Sequence, residues 1–225
     1  GASYHGGWAE IDEVLLLPNA KVRSEGWFMV TNQLTLSQGS VLKIGSQQIY
    51  ILEGATIVRL GDLSGYIQTH GLYSDGGILK RFSPTEDVSG AFIIPYKHLM
   101  PGGQLIDRTM TINWTQNKKR YLVFSYVNGL HPMLRDGLPF YARVVAEKGR
   151  PKEFAGLSFS MPNTEPSPLP TDYKLLGLFN NLWTELGTPT STTFQFPLSA
   201  EGDYAVGRKY EIKTYESIQN GNWNL

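Results

Sequence analysis

Three strand-like segments in succession, Thr109–Trp114, Arg120–Val127 and Phe140–Glu147, constrain the fold of this chain most strongly. In the first segment apolar side chains alternate with Thr and Asn, a pattern typical of a half-buried strand. The second segment is apolar on both faces, which indicates a central strand covered on both sides. Two layers of sheet around one core explain the series, so the sequence predicts an antiparallel, jelly-roll-like β-sandwich.

Composition excludes several classes of protein. The 225 residues suffice for one large all-β domain or two small ones. Lys plus Arg equals Asp plus Glu at 20 each, so the basic excess of a nucleic-acid binder is missing. No apolar run approaches the roughly 18 residues that span a bilayer, and residues 1–7 do not resemble a signal peptide. With no cysteine, disulfides and thiolate metal sites are excluded.

The N-terminal part carries closely spaced apolar pairs, such as Leu34/Leu36 and Leu42/Ile44, with turn residues between them. This spacing predicts a short-strand meander, a β-prism or a stack of small hairpins. An antiparallel meander is the plain interpretation, and an oligomeric shaft in which three chains share one core is the alternative.

Residues 95–103 contain two prolines and a double glycine, which interrupt regular structure. We therefore expect a short-strand region, a shaft or attachment domain, over residues 1–100. A β-sandwich recognition domain is expected over residues 101–225. Within the latter, Lys174–Leu186 is rich in leucine but has no clean period, so helix and strand remain open for it.

No catalytic motif stands out. The histidines have no metal-ligand spacing, and His98 and His131 lie near prolines, as surface or turn histidines do. Neither a nucleophile elbow nor a phosphate-binding loop is present. The sequence therefore predicts no catalytic residue, no metal site and no cofactor.

Charged residues are also explained by local structure. Several acidic residues, among them Asp62, Asp75, Asp136 and Asp203, stand beside glycine, where Asp stabilises turns through its own backbone. The alternative is a carboxylate pair such as that of glycosidases, with Glu10 and Asp12 on one face of a strand. The basic run Lys118–Arg120 is typical of a solvated hairpin tip, and a contact for phosphate or an acidic sugar is its alternative.

Aromatic residues next to asparagines are the remaining candidates for a ligand site. Sugar rings stack on flat aromatic faces, and neighbouring amides bond the hydroxyls. This chemistry selects Trp183 with Asn180 and Asn181, and Trp223 with Asn222. Core packing is the competing interpretation for Trp183, and a disordered tail is the competing one for Trp223.

In overall character the chain resembles the receptor-binding tip of a bacteriophage tail fibre or tailspike. The shared features are a cysteine-free all-β composition, a neutral surface rich in Thr, Asn and Gly, a possible shaft, and a C-terminal sandwich with aromatic loops. The resemblance covers the whole chain but rests on no diagnostic motif, so it assigns a role to no residue. It implies a homotrimer that binds host glycans or outer-membrane proteins.

We therefore expect a non-enzymatic receptor-binding or adhesion module that recognises a cell-surface glycan or protein. Its expected location is extracellular or on a virion surface. Two alternatives remain open: a glycan-degrading hydrolase or lyase on a β-scaffold, and a structural subunit of a virion or appendage.

Overall fold

The computed structural model describes residues 9–69, 76–84, 87, 89–100, 102–150, 152–165 and 168–210. These residues form nineteen strands and no helix, so the predicted all-β class is confirmed. In the same residues no helix is long and apolar enough to cross a membrane.

The N-terminal part is a coil of parallel strands. Its strands are β1 (Ala9–Leu16), β2 (Lys21–Arg23), β3 (Phe28–Leu36), β4 (Val41–Gly45), β5 (Gln48–Ile51), β6 (Thr56–Arg59), β7 (Tyr66–Thr69) and β8 (Gly77–Phe82). The strands stack in two sheets along the coil, and these two stacks are called columns. One column contains β1, β3, β5 and β8, and β6 also pairs with β3. The other column contains β2, β4 and β7. Every pair within these columns is parallel.

The expectation of an antiparallel meander or hairpin stack is therefore wrong for this part. Each turn of the coil stacks on the preceding one, so that Lys21 pairs with Val41, and Val41 pairs with Tyr66. The apolar pairs identified in the sequence point into the coil, where Leu34, Leu42 and Ile49 are fully buried. Alternation defines the buried face of a strand but not the direction of its neighbour, which explains the error.

The C-terminal part adds the strands of the sandwich. They are β9 (Gly90–Ile94), β10 (Lys97–Leu99), β11 (Leu105–Asp107), β12 (Met110–Trp114), β13 (Arg120–Asn128), β14 (Leu134–Ala146), β15 (Leu157–Pro162), β16 (Lys174–Phe179), β17 (Leu182–Gly187), β18 (Thr193–Leu198) and β19 (Gly202–Lys209). A ten-stranded sheet has the order β1-β3-β5-β8-β13-β14-β19-β16-β17, with β6 off this path, and a four-stranded sheet has the order β18-β15-β12-β9. Strands β10 and β11 form a separate hairpin.

The two sheets enclose one core, as the sequence predicts. Strand β13 lies between β8 and β14, and its side chains from Arg120 to Val127 are all buried, so its predicted central position is confirmed. Phe124 contributes to the same cluster as Phe159 and Phe194 of the smaller sheet. Trp114 is half-buried, and its ring meets that of Phe82 edge-on at 5.4 Å.

Coil and sandwich share one strand, β8. Strand β8 pairs in parallel with β5 of the coil and antiparallel with β13 of the sandwich. The buried Tyr96 hydroxyl donates to the carbonyl of Phe124 at 2.7 Å and accepts from the amide of Ile78 at 3.1 Å. Burial raises the pKa of this hydroxyl well above its usual value, which keeps it a neutral donor. The division into domains at residue 100 stays a prediction.

The ambiguous segment Lys174–Leu186 is a hairpin of two strands, β16 and β17. Asn180 and Asn181 connect the strands with φ angles of 50° and 63°. Two central residues with positive φ define the tight turn whose twist matches that of the flanking strands. Asparagine tolerates this conformation better than most residues, so the dipeptide directs the chain into a hairpin.

Candidate functional site

The solvent face of the smaller sheet is built from hydroxyl and amide side chains. In β18, Phe194 and Phe196 point into the core while Gln195 points to solvent. In β15, the residues facing solvent are Ser158 and Ser160. Because side chains alternate along a strand, β15 and β18 each place polar side chains on this face.

Pairing between the strands joins these residues into two rows. Thr111 faces Ser160, which in turn faces Gln195. Asn113 faces Ser158, which lies opposite Pro197. Strand β9 extends the rows with Ile93 and Ala91. None of these outward-facing side chains carries a charge.

A cleft of about 300 Å³ opens at one end of this face, where the end of β17 and the following loop approach β18. Its volume is at the lower end of the range of small-molecule sites. The cleft is lined by Ser158, Leu175, Leu186, Gly187, Thr188, Thr190, Thr193, Gln195 and Pro197. Its chemistry is therefore hydroxyl, amide and aliphatic, with no ionisable group in the lining.

Hydrogen bonds hold the loop that forms the wall of the cleft. The Thr190 hydroxyl donates to the carbonyl of Thr193 at 2.5 Å and accepts from its amide at 3.0 Å. The side-chain amide of Asn163 donates to the carbonyl of Thr190 at 3.1 Å. By contrast, the side chains of Ser158 and Gln195 have no hydrogen-bond partner among the described residues. The cleft thus combines a fixed wall with polar groups that are free to bind a ligand.

The outer face of the ten-stranded sheet has a different character, because charged and aromatic residues cluster on it. Asp203 accepts two hydrogen bonds from Arg143, at 2.6 and 2.8 Å, and lies 3.0 Å from Nε2 of the buried His131. The His131 ring meets Tyr141 edge-on at 4.7 Å and Trp183 at 4.9 Å. This histidine–aspartate cluster was missed by sequence reasoning, which predicted a surface or turn histidine at position 131.

Both ring nitrogens of His131 are occupied. The Met133 amide donates to Nδ1 at 3.1 Å, so Nδ1 is unprotonated and Nε2 donates to Asp203. Burial raises the pKa of Asp203, but hydrogen bonds from Arg143 and His131 outweigh it, and the pKa lies below its usual value. A histidine fixed in this way cannot take a proton from a substrate without breaking the cluster.

The predicted ligand residues of the hairpin have structural contacts. Asn180 and Asn181 form the exposed turn between β16 and β17. Trp183 is half-buried, and its Nε1 donates to the carbonyl of Met133 at 2.9 Å. Trp223 and Asn222 lie outside the described residues. Ligand binding by all of these residues stays a prediction.

Other sequence candidates have local partners. Asp62 and Asp107 each accept a hydrogen bond from the amide two residues onward, at 2.9 and 2.8 Å, as expected for turn chemistry. Asp12 accepts from the hydroxyl of Thr31 at 3.1 Å. In the basic run, Lys119 is exposed as predicted for a solvated tip, but the prediction is wrong for Arg120, which is fully buried and donates to the carbonyl of Ala155 at 2.6 Å.

Among the described residues, no group of three His, Asp or Glu side chains could hold a metal ion together. Comparison of the chain with protein-family models, with curated proteins and with solved structures finds no match. The chemistry of the cleft and of the neutral face must therefore carry the functional interpretation.

Proposed function

We propose that this chain is a non-enzymatic recognition module that binds a neutral glycan in the cleft beside β18. The observation that carries the proposal is the composition of the cleft, in which free hydroxyl and amide groups adjoin aliphatic side chains and no charge is present. Sugars present the complementary surface, with hydroxyls around the ring and C–H groups on its faces.

A neutral ligand follows from the energetics of desolvation. A sulfated, phosphorylated or carboxylated sugar loses hydration on entering a cleft, and an uncharged lining offers it no ionic partner in return. Hydroxyls of a neutral sugar exchange water for Gln195 and Ser158 at little cost. The half-buried side chain of Leu186 offers aliphatic surface that the sugar C–H groups can cover, whereas Leu175 is buried beneath it.

Recognition is favoured over cleavage by the same lining. Glycoside hydrolysis ordinarily uses two carboxyl groups roughly 5 to 9.5 Å apart, one of them with a raised pKa. The lining of the cleft contains no carboxyl group. Asp203 lies on the other sheet and has a lowered pKa, whereas a general acid needs the opposite shift. A glycan-degrading enzyme and a purely structural subunit remain the alternatives.

The parallel coil fits a supporting role for the sandwich, because the shared strand β8 holds the two parts in a fixed relation. A module with this ligand would act at a cell or virion surface. It stays a prediction that the chain forms a homotrimer and resembles a phage fibre tip. An outer-membrane protein as its partner is likewise a prediction.

A glycan array that carries both neutral and acidic sugars tests the proposal, followed by affinity measurements on the strongest hit. Gln195→Ala and Ser158→Ala each remove one free polar group of the cleft, and each is expected to weaken binding about fivefold to tenfold. Gln104→Ala, at an exposed glutamine outside the lining, is the matched control and should leave affinity unchanged. Binding confined to acidic glycans, or hits insensitive to both cleft variants, would contradict the proposal, as would release of reducing ends from a bound glycan.

A further inference from the structure

We infer that the ligand is a linear neutral oligosaccharide that extends from the cleft across the solvent face of the four-stranded sheet toward β9. This inference rests on the proposed function and adds the length and the path of the ligand. It assigns a binding role to Thr111, Asn113 and Ser160, which lie outside the cleft.

The cleft and the sheet face are continuous. Ser158 and Gln195 line the cleft and also belong to the two polar rows of the face. From Gln195 one row passes to Ser160 and Thr111, and from Ser158 the other passes to Asn113. A ligand that leaves the cleft along the sheet therefore meets polar side chains on β15 and β12 before it reaches the apolar Ile93 and Ala91 of β9.

The spacing of these side chains suits a sugar chain. Neighbouring strands lie about 4.8 Å apart, close to the length of one sugar residue in an extended chain. Three such steps separate β18 from β9, or about 14 Å. A chain lying across the strands therefore places three to four sugar units over the sheet, roughly one unit for each strand.

The polar groups of the face are available for binding. Among the described residues, the hydroxyls of Thr111 and Ser160 have no hydrogen-bond partner. The side-chain amide nitrogen of Asn113 makes one long contact of 3.5 Å with the carbonyl of Thr111, and its oxygen has no described partner. At the far end Ile93 is 43% exposed and offers apolar surface to a sugar ring.

The solvent face of the four-stranded sheet is uncharged, whereas the opposite side of the molecule is not. The outer face of the ten-stranded sheet carries Arg143 with Asp203, Arg81 with Glu147, and Lys209 with Glu185. About one residue in five of the chain is charged (18%), yet none lies at the outward positions of β9, β12, β15 and β18. Neutral polar groups without partners are what an uncharged polyhydroxylated ligand requires.

Affinity as a function of chain length tests the inference. The neutral glycan with the highest signal on the array is prepared as a series of one to six units, and each is titrated against the intact chain by calorimetry. Affinity is expected to rise at least tenfold between one unit and four units, and then to level off because the sheet ends at β9.

A variant that keeps the cleft intact isolates the sheet face. In Thr111→Val/Ser160→Ala both hydroxyls are removed while strand-compatible side chains remain, and affinity for the four-unit ligand should fall about tenfold. Its affinity for the one-unit ligand should not change. Thr56→Val, at an exposed position of β6 in the coil, is the matched control and should affect neither ligand.

The outcomes separate the inference from the proposed function. If the one-unit and four-unit ligands bind equally well and Gln195→Ala weakens both, the cleft binds glycan and the extended path is wrong. If the double variant leaves the four-unit affinity unchanged, the path across β12 and β15 is wrong. If no neutral glycan binds at any length, both the proposed function and this inference are overturned.

Discussion

Asp203 connects β19, β14 and the loop before β14 through one carboxylate. It is 8% exposed and binds both Arg143 and His131. Asp203→Asn keeps the shape of the side chain but removes its charge. The amide nitrogen of Asn cannot accept hydrogen bonds, so at least one of the bonds from Arg143 and His131 is lost. We expect a decrease in the free energy of unfolding of about 3 kcal/mol, measured by urea denaturation.

An exposed ion pair provides the comparison for this substitution. Asp136 binds Arg208, whose side chain is 37% exposed. Asp136→Asn should change stability much less than Asp203→Asn, because solvent screens exposed pairs. An equal decrease in the free energy of unfolding for the two variants would show that the buried cluster stabilises the fold no more than the exposed pair does.

The lowered pKa of Asp203 predicts a specific pH dependence. Its pKa in the unfolded chain is about 3.9, so its stabilising contribution is complete above that pH. The contribution is lost as the pH falls through the lower pKa of the folded state. The stability difference between the natural chain and Asp203→Asn should be constant from about pH 8 to about pH 5 and shrink below about pH 4. A difference that stays constant at acid pH would show that the pKa is not lowered.

Side-chain environments of this kind are hard to predict from sequence. His131 and Asp203 are 72 positions apart, and only the pairing of β14 with β19 brings them together. Proline next to His131 indicates a turn, which is correct, but not that the ring folds back over the sheet. Turn aspartates such as Asp62 were predictable because their partners lie two residues away.

The β16–β17 hairpin gives a test of its turn. Asn181 has a φ of 63°, a conformation that disfavours β-branched side chains. Asn181→Val should destabilise the chain by about 1–2 kcal/mol, while Asn181→Gly should be neutral or slightly stabilising. Thermal or urea unfolding distinguishes the two variants. Neither variant should alter glycan affinity, and a loss of affinity in Asn181→Gly would favour the hairpin tip as a ligand site.

Strands were predictable where alternation was clear, and their partners were not. The three segments that begin at Thr109 correspond to β12, β13 and β14. The coil shows the limit, because the alternation of Leu34 with Leu36 is the same in a parallel coil and in a meander. Only the long-range pairing of turns about 20 residues apart decides between them, as Lys21 with Val41 shows.

Coil and sandwich should unfold together, because β8 is hydrogen-bonded to both and Tyr96 joins β8 to β13. We expect one transition with the same midpoint when fluorescence is followed from Trp27, beside β3, and from Trp114, in β12, in variants that lack the other four tryptophans. Separate midpoints would support the division into two independent domains at residue 100 instead.

One sheet of the sandwich has a neutral outer face and the other has a charged one. The residues responsible are present in the sequence, but only the strand pairing shows that they share a face. Each of β12, β15 and β18 contains a few hydroxyl or amide residues that are unremarkable alone. Their alignment across neighbouring strands produces the neutral face, and the loop after β17 closes the cleft at its end. Trp183, which the sequence selects as a ligand residue, lies on the opposite sheet and not at the cleft.

Amide chemical shifts of the isotope-labelled chain, recorded while a neutral oligosaccharide selected on the array is added, locate the ligand directly. We predict shifts in residues 186–197, in Ser158 and along the face toward Thr111, with none in residues 180–183. Shifts centred on Trp183 and Met133, or no shifts with any neutral glycan, would contradict a glycan site in the cleft.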